Sequence, residues 1–195
     1  VLERFVHEAR RSGLEVLESL GLADLGELTL LEHDYGSSRA AYTTALTQLR
    51  GLGQKGAVME SLYGLGLASL GLGQRREARA AFAELLELAL AHSAYVAEAL
   101  SGIALAADPA AADRAARLRG AVAQLNSDAD IVMNPYLRAK DELEGHFERQ
   151  LVALLGEEAW ERETTAGSTM TLDQAIALAQ SLGGHTAQQS PRVLT

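Results

Sequence analysis

Glycine crowds the stretch SLYGLGLASLGLGQRR, residues 61–76, at Gly64, Gly66, Gly71 and Gly73, and glycine at that density is raw material for a loop that cradles phosphate. The spacing does not fit. A dinucleotide fingerprint G-x-G-x-x-G begun at Gly64 needs glycine where Ser69 stands, G-K-[ST] occurs nowhere, and no strand pattern precedes the run. Metal chemistry fares no better: His7, His33, His92, His146 and His185 are scattered, none with a second histidine three or four residues away, and there is no cysteine. In Glu144, His146 and Glu148 the histidine lies two positions from each carboxylate, on a diverging helix face, so the trio reads as a solvated surface. No G-x-S-x-G elbow accompanies the serines. Glu157 and Glu158 open a predicted helix, where they complement its dipole. Trp160, the single tryptophan, has apolar neighbours Leu154, Leu155 and Ala159, which assigns it to core or cap rather than to a stacking platform. The expectation is a non-enzymatic chain with no catalytic residue, no cofactor and no metal.

What remains is architecture. Ala, Leu, Glu and Arg dominate, proline occurs only at Pro109, Pro135 and Pro191, and β-branched alternation is missing, so the chain reads all-α. Ala78, Ala81, Phe82, Leu85, Leu86 and Ala89 form a three-and-four stripe, as do Leu143, Phe147, Leu151, Leu154 and Leu155, and Leu172, Ala175, Ile176, Ala179 and Leu182. Asp108-Pro109 and Asn134-Pro135 place a capping side chain before a proline at the first helical position. Thr171 with Gln174 makes a capping box. Helices are expected near 2–12, 14–33, 36–50, 54–72, 75–91, 94–107, 109–126, 135–155, 157–164 and 171–183.

Bulk properties exclude several classes of function. A net charge of -9, from 17 basic and 26 acidic residues, repels a phosphate backbone, so direct nucleic-acid contact is not expected of this segment. No run approaches the roughly 18 apolar residues of a membrane span. The lack of cysteine fits a reducing cytoplasm, the expected location. The chain opens on Val1 with no initiator methionine and no signal-peptide pattern, and reads as a piece of something longer.

Shifted by 40, the sequence matches itself: Leu22, Leu25, Gly26, Ser38, Ala41, Tyr42 and Leu46 fall on Leu62, Leu65, Gly66, Ala78, Ala81, Phe82 and Leu86. A third copy, displaced by 38, sets Leu100, Ile103, Ala104 and Ala116 against Leu62, Leu65, Gly66 and Ala78. A small-to-small interval of twelve survives in all three: Gly26 to Ser38, Gly66 to Ala78, Ala104 to Ala116. This pattern resembles the tetratricopeptide repeat, a helix pair whose small residues let two backbones approach. An aromatic four positions later, here Tyr42 and Phe82, fills the space towards the next helix. The third copy departs from the pattern, with Gly120 at the aromatic position. Val1 to Gly13 reads as the second helix of a preceding, truncated copy. Gly64, Gly66 and Gly71 then belong within or at the end of a helix, each costing roughly 1 kcal/mol relative to alanine, which close packing must offset.

The resemblance implies tetratricopeptide-like helical hairpins in a right-handed superhelix, closed by extra C-terminal helices. The repeats would occupy residues 1–126, capping helices 127–183, and a linker or tail 184–195. The groove positions carried over from such repeats are Glu27, Leu30, Tyr63, Leu67, Leu70, Glu98, Ser101 and Leu105. Their mixed acidic and apolar character would suit a basic or amphipathic helix.

A more specific likeness covers residues 99–179 with gaps. Ala115-Ala116-Arg117-Leu118 followed by Gly120-Ala121, the Leu155-Gly156-Glu157 turn with Trp160, and TMTLDQAIALA from residue 169 occur in order. Together they are similar to the C-terminal end of the helical-repeat domain in bacterial LuxR/MalT-like and SARP-like STAND ATPase transcription regulators. The segment NSDADIVMNP, residues 126–135, departs from that pattern. The resemblance implies a sensor and interaction domain that binds a small-molecule inducer, or a protein or peptide partner, in the repeat groove. It would relay that state to an ATPase or DNA-binding module of the same polypeptide, with self-association open. The alternative is a free-standing adaptor that takes peptides or helices through the same groove.

Overall fold

The computed structural model describes residues 1–92, 95–128 and 135–183, with backbone alone for 128, 135–141 and 183. The expected linker path over 129–134 and the tail from 184 lie outside the described residues. Among the described residues every regular element is helical: α1 (Leu2–Arg11), α2 (Glu15–Leu31), α3 (Tyr35–Gly51), α4 (Lys55–Gly71), α5 (Arg75–His92), α6 (Val96–Leu105), a 3₁₀ turn (Pro109–Ala111), α7 (Ala112–Asp128), α8 (Pro135–Leu155), α9 (Glu157–Gly167) and α10 (Leu172–Gly183). The chain is all-α over these residues, as its composition requires.

A turn every twenty residues sets the frame. Gly13, His33, Gly53 and Gly73 all take positive φ, at 68°, 61°, 67° and 72°. Each sits one residue past a helix cap and closes it in the same way. The amide of the following residue reaches back five positions, Leu14 to Ala9, Asp34 to Thr29, Gln54 to Leu49 and Gln74 to Ser69, at 2.8–3.0 Å. This is the Schellman arrangement, which satisfies the last carbonyls of a helix and reverses the chain. Two of the turns share the tetrapeptide Gly-Leu-Gly-Gln, at 51–54 and 71–74. Helices α2, α3 and α4, each of 17 residues, are thereby joined by three-residue turns, which make consecutive helices packed neighbours.

Between those turns the glycines and aromatics interlock. A Cβ placed on Gly26 would stand 3.0 Å from the Tyr42 ring, and one on Gly64 would stand 2.2 Å from its far edge. The Phe82 ring is clasped in the same way: a Cβ on Gly66 would lie 2.4 Å from it and one on Gly102 2.2 Å. Each ring of α3 or α5 therefore fills a slot between the helix before it and the helix after it, a slot that exists because both walls lack a side chain. The interval of twelve is itself bonded, since Ser38 Oγ donates to the Gly26 carbonyl at 2.7 Å. The stripe from Ala78 to Ala89 is buried at all six positions. Because α2 also touches α4, and α4 touches α6, these three helices form one layer of the stack.

The third unit departs for a visible reason. Gly120 of α7 faces the α9 backbone, where a Cβ would come 1.9 Å from the Thr164 carbonyl oxygen. One on Gly167 of α9 would come 1.8 Å from that of Arg117. An aromatic at Gly120 would hold α9 away. The remaining helices close the stack: α10 packs on α5, α6 and α7 through Ala175, Ala179 and Leu182, and α8 lies against α2, α6, α7 and α9.

Some local expectations need correction. The second stripe ends at Leu151, because Leu154 is 56% exposed. In the third, Leu172 stands 41% exposed, outside the packed face. Asp108 does not cap a helix with its side chain; its carboxylate takes Arg79 Nη1 at 2.6 Å and the chain enters a 3₁₀ turn first. The Asn134 cap lies outside the described residues. The Thr171–Gln174 box forms in both directions, at 3.3 and 2.9 Å.

Candidate functional site

The eight expected groove positions lie on α2, α4 and α6, and most are covered. Leu30 and Leu67 have no exposed surface, Leu105 and Ser101 almost none, and Tyr63, Glu27 and Leu70 are buried; only Glu98 is partly exposed. Leu67 and Leu105 join the core with the clasped rings instead of facing a groove. What covers Tyr63 and Ser101 is the chain's own helix α8.

A polar cluster marks the contact. Glu144 of α8 accepts from the Tyr63 hydroxyl through Oε1. Its Oε2 takes Ser101 Oγ at 2.6 Å and Arg119 Nη1 at 2.8 Å. Arg119, on α7, also donates to Ser101 Oγ, and its Nε reaches Glu148 Oε2 at 2.6 Å. One carboxylate thus collects donors from three helices, and the guanidinium bridges two carboxylates one helical turn apart. The fork geometry of arginine suits this task, where an ammonium would serve only as a point charge. Around the cluster, Leu143, Phe147 and Leu151 of α8 are buried, giving α8 an apolar stripe with an acidic edge.

The electrostatics fit these roles. Burial pushes the Tyr63 phenol well above its ordinary pKa. The Glu144 and Glu98 charges push the same way against Arg119, so the phenol stays protonated and donates. Burial opposes the Arg119 charge, but Glu144 and Glu148 outweigh it and raise its pKa. Elsewhere the face is acidic: burial and the charges of Glu27, Glu60 and Asp24 raise the Tyr42 phenol, and burial with Glu60 and Glu98 raises Tyr95. Arg119 is the cation the cluster is built around, which explains why the helix seated here presents carboxylates. The helix seated at this end of the face is amphipathic, with an acidic edge.

Arg119, Glu144 and Glu148 were not among the expected site residues. The reading of Glu144, His146 and Glu148 as a solvated face holds for His146, which is exposed. It fails for the two glutamates, because positions 144 and 148 lie four apart and share a helix face. That i,i+4 pair beside the Leu143–Phe147–Leu151 stripe was the available signal; its partner, Arg119, lies 25 residues away from Glu144. Trp160 is partly buried against the core, as its neighbours suggest.

Among the described residues no group of three His, Cys, Asp or Glu side chains could hold a metal ion. Nor, among them, is any helix long and apolar enough to cross a membrane. Comparison of the chain with protein-family models, with curated proteins and with solved structures gave no match.

Proposed function

We propose that this chain is a tetratricopeptide-like sensor and interaction module of a multidomain bacterial transcription regulator, which recognises a helical partner or an inducer on its inner face and passes that state to the rest of the polypeptide. One observation carries the interaction half: α8, an amphipathic helix with three buried apolar side chains, packs against α2, α6, α7 and α9 and sets a carboxylate among Tyr63, Ser101 and Arg119. A surface that seats a helix by matched apolar and charged contacts is the equipment of helix-in-groove recognition. The superhelical reading is supported by the clasped Tyr42 and Phe82 rings and the bonded Gly26–Ser38 pair. The regulator half rests on the ordered likeness across residues 99–179. Reading the coding sequence on both sides of the chain tests it. An adjoining ATPase or helix-turn-helix supports the regulator. An isolated reading frame overturns it and leaves the free-standing adaptor, which uses the same face.

A further inference from the structure

Helix α8 and the face beneath it are built differently. The seat belongs to the repeat stack: Tyr63 is buried in α4 with its ring 6.0 Å from that of Phe82, Ser101 precedes the glycine that clasps Phe82, and Arg119 precedes the glycine that meets α9. The backbone at each of the three donors is therefore placed by packing within the stack, while the Arg119 guanidinium, Ser101 Oγ and the Tyr63 hydroxyl also bond the α8 carboxylates. The occupant is held more lightly. Past its three buried apolar residues and two glutamates, α8 shows Glu142, His146, Arg149 and Gln150 to solvent. Between it and α2 an open cleft of about 520 Å³ remains, lined by Leu30, Leu31, His33, Leu143, His146 and Arg149. Gly145 sits in the middle of the docked stretch, where a Cβ would meet only the tip of Arg149 at 3.5 Å. That glycine weakens the helix and answers no packing need, unlike the glycines of α4.

Resting on the reading of the inner face as an interaction surface, we infer that α8 is a resident stand-in for a partner helix. The seat of Tyr63, Ser101 and Arg119 takes an acidic amphipathic helix of another protein with the spacing Leu-Glu-x-x-Phe-Glu-x-x-Leu, and α8 must leave for it to bind. Charge selects this occupant. The seat offers a guanidinium and two hydroxyl donors to carboxylates at i and i+4, and the nearby Glu98 disfavours any further negative charge on that side. Because α8 is tethered, it competes at high effective concentration, and a free helix binds weakly until α8 is loosened.

The probe is a labelled peptide of residues 135–155, titrated by fluorescence anisotropy into the full chain and into its Glu144→Lys/Glu148→Lys variant, whose own α8 is repelled by Arg119. The peptide is expected to bind the variant at least tenfold more tightly than the unmutated chain. A peptide carrying Gln at both glutamate positions is expected to bind the variant at least tenfold more weakly than the native peptide. A helical, cooperatively melting variant that ignores the peptide, or binds both peptides equally, overturns the proposal. Should the variant not fold, hydrogen exchange on the isotope-labelled unmutated chain decides. Amides of 143–151 are expected to exchange at least tenfold faster than those of α4 and α6, and faster again with excess peptide, while α4 and α6 do not change. Exchange of α8 in step with α4 and α6, unmoved by peptide, overturns the proposal. So does loss of α8 protection that grows with protein concentration alone, which assigns the seat to a second copy. None of these outcomes depends on which modules adjoin the chain, so a failed regulator assignment and a failed seat are told apart.

Discussion

Replacing Gly66 by leucine tests the packing logic of the stack most directly. In isolation the change favours α4, since a mid-helix glycine costs roughly 1 kcal/mol relative to alanine and leucine ranks close to alanine. In the structure it is forbidden: the first added atom would lie 2.4 Å from Cε1 and Cζ of Phe82. The backbone of α6 crowds the same edge of the ring, since a Cβ on Gly102 would lie 2.2 Å from Cδ1 and 2.4 Å from Cε1. Leucine must therefore evict Phe82, which is fully buried, and losing a buried phenylalanine costs about 3–5 kcal/mol. Set against the helix gain, the net loss is about 2–4 kcal/mol, roughly 4–16 °C in Tm for a chain of this size. The control is Gly56→Ala, on the same helix with open space around the new Cβ, which is expected to raise stability by about 0.5 kcal/mol. Gly66→Ala combined with Phe82→Leu should recover at least part of what Gly66→Ala alone loses, because the smaller side chain vacates the slot. Calorimetric melts of the four variants check this. A Gly66→Leu melt equal to that of the unmutated chain would refute the clasped-ring account, since propensity alone predicts no loss.

Three further expectations follow from other contacts. Gly167→Ala sets a methyl 1.8 Å from the Arg117 carbonyl, so α9 must withdraw, at a cost of about 1–3 kcal/mol. Trp160 on α9 reports it by a red-shifted emission, and an unchanged spectrum and melt would refute the close crossing. Tyr63→Phe deletes the phenol donor and leaves Glu144 Oε1 short of a partner at about 1–3 kcal/mol. Exchange rates in α8 should rise while those in α5 hold, and equal change in both would sink the idea of a local latch. Glu18 is held below its ordinary pKa of 4.5 chiefly by the hydrogen bond from Arg10, with Gln48 and the Arg10 charge assisting against burial. A lowered folded-state pKa stabilises the fold above pH 4.5 and loses that effect as pH falls through the folded value. Glu18→Gln should therefore be less stable than the parent near neutrality and converge with it in acid; a urea-midpoint gap that widens below pH 4.5 would refute the assignment.

What the sequence made legible, and what it hid, divides along the distance over which information acts. The Ala78–Ala89 stripe and the Thr171–Gln174 box were readable because they depend on neighbours within one or two helical turns. The alignment of Tyr42 with Phe82 and of Gly26 with Gly66 was readable because repetition prints a tertiary contact twice. The twenty-residue turn was written in the two Gly-Leu-Gly-Gln tetrapeptides and in Gly13, but His33 disguised the fourth instance, since a non-glycine residue in the left-handed region is uncommon. Gly120 looked like a failed repeat and is in fact required by a partner, Gly167, that no local pattern connects to it. The same holds for Arg119, whose meaning depends on a helix that returns across the stack. Leu30, Leu67 and Leu105, expected to line a groove, are core residues, because a linear pattern does not say which faces of a helix other parts of the chain come to cover.

The chemistry of that return decides its register. A half-buried ion pair adds little net stability over an apolar contact, so the Arg119–Glu144–Glu148 bridge is poorly explained as an anchor. It is better explained as a ruler. Leu143, Phe147 and Leu151 repeat every four residues, and an apolar stripe of that kind fits its groove nearly as well after sliding by one turn, about 6 Å along the helix axis. Charge removes the degeneracy. A slide in one direction brings the residue four before Glu144, which by sequence is Lys140, opposite Arg119 and sets two cations together. A slide in the other puts Glu148 where Glu144 stood and Val152 where Glu148 stood, leaving half the guanidinium without an acceptor. Only the observed alignment gives Glu144 its three donors and Arg119 both carboxylates. Under the proposed competition, a partner helix would have to satisfy the same ruler, and the spacing of its two carboxylates, not its overall acidity, would decide whether it fits the seat.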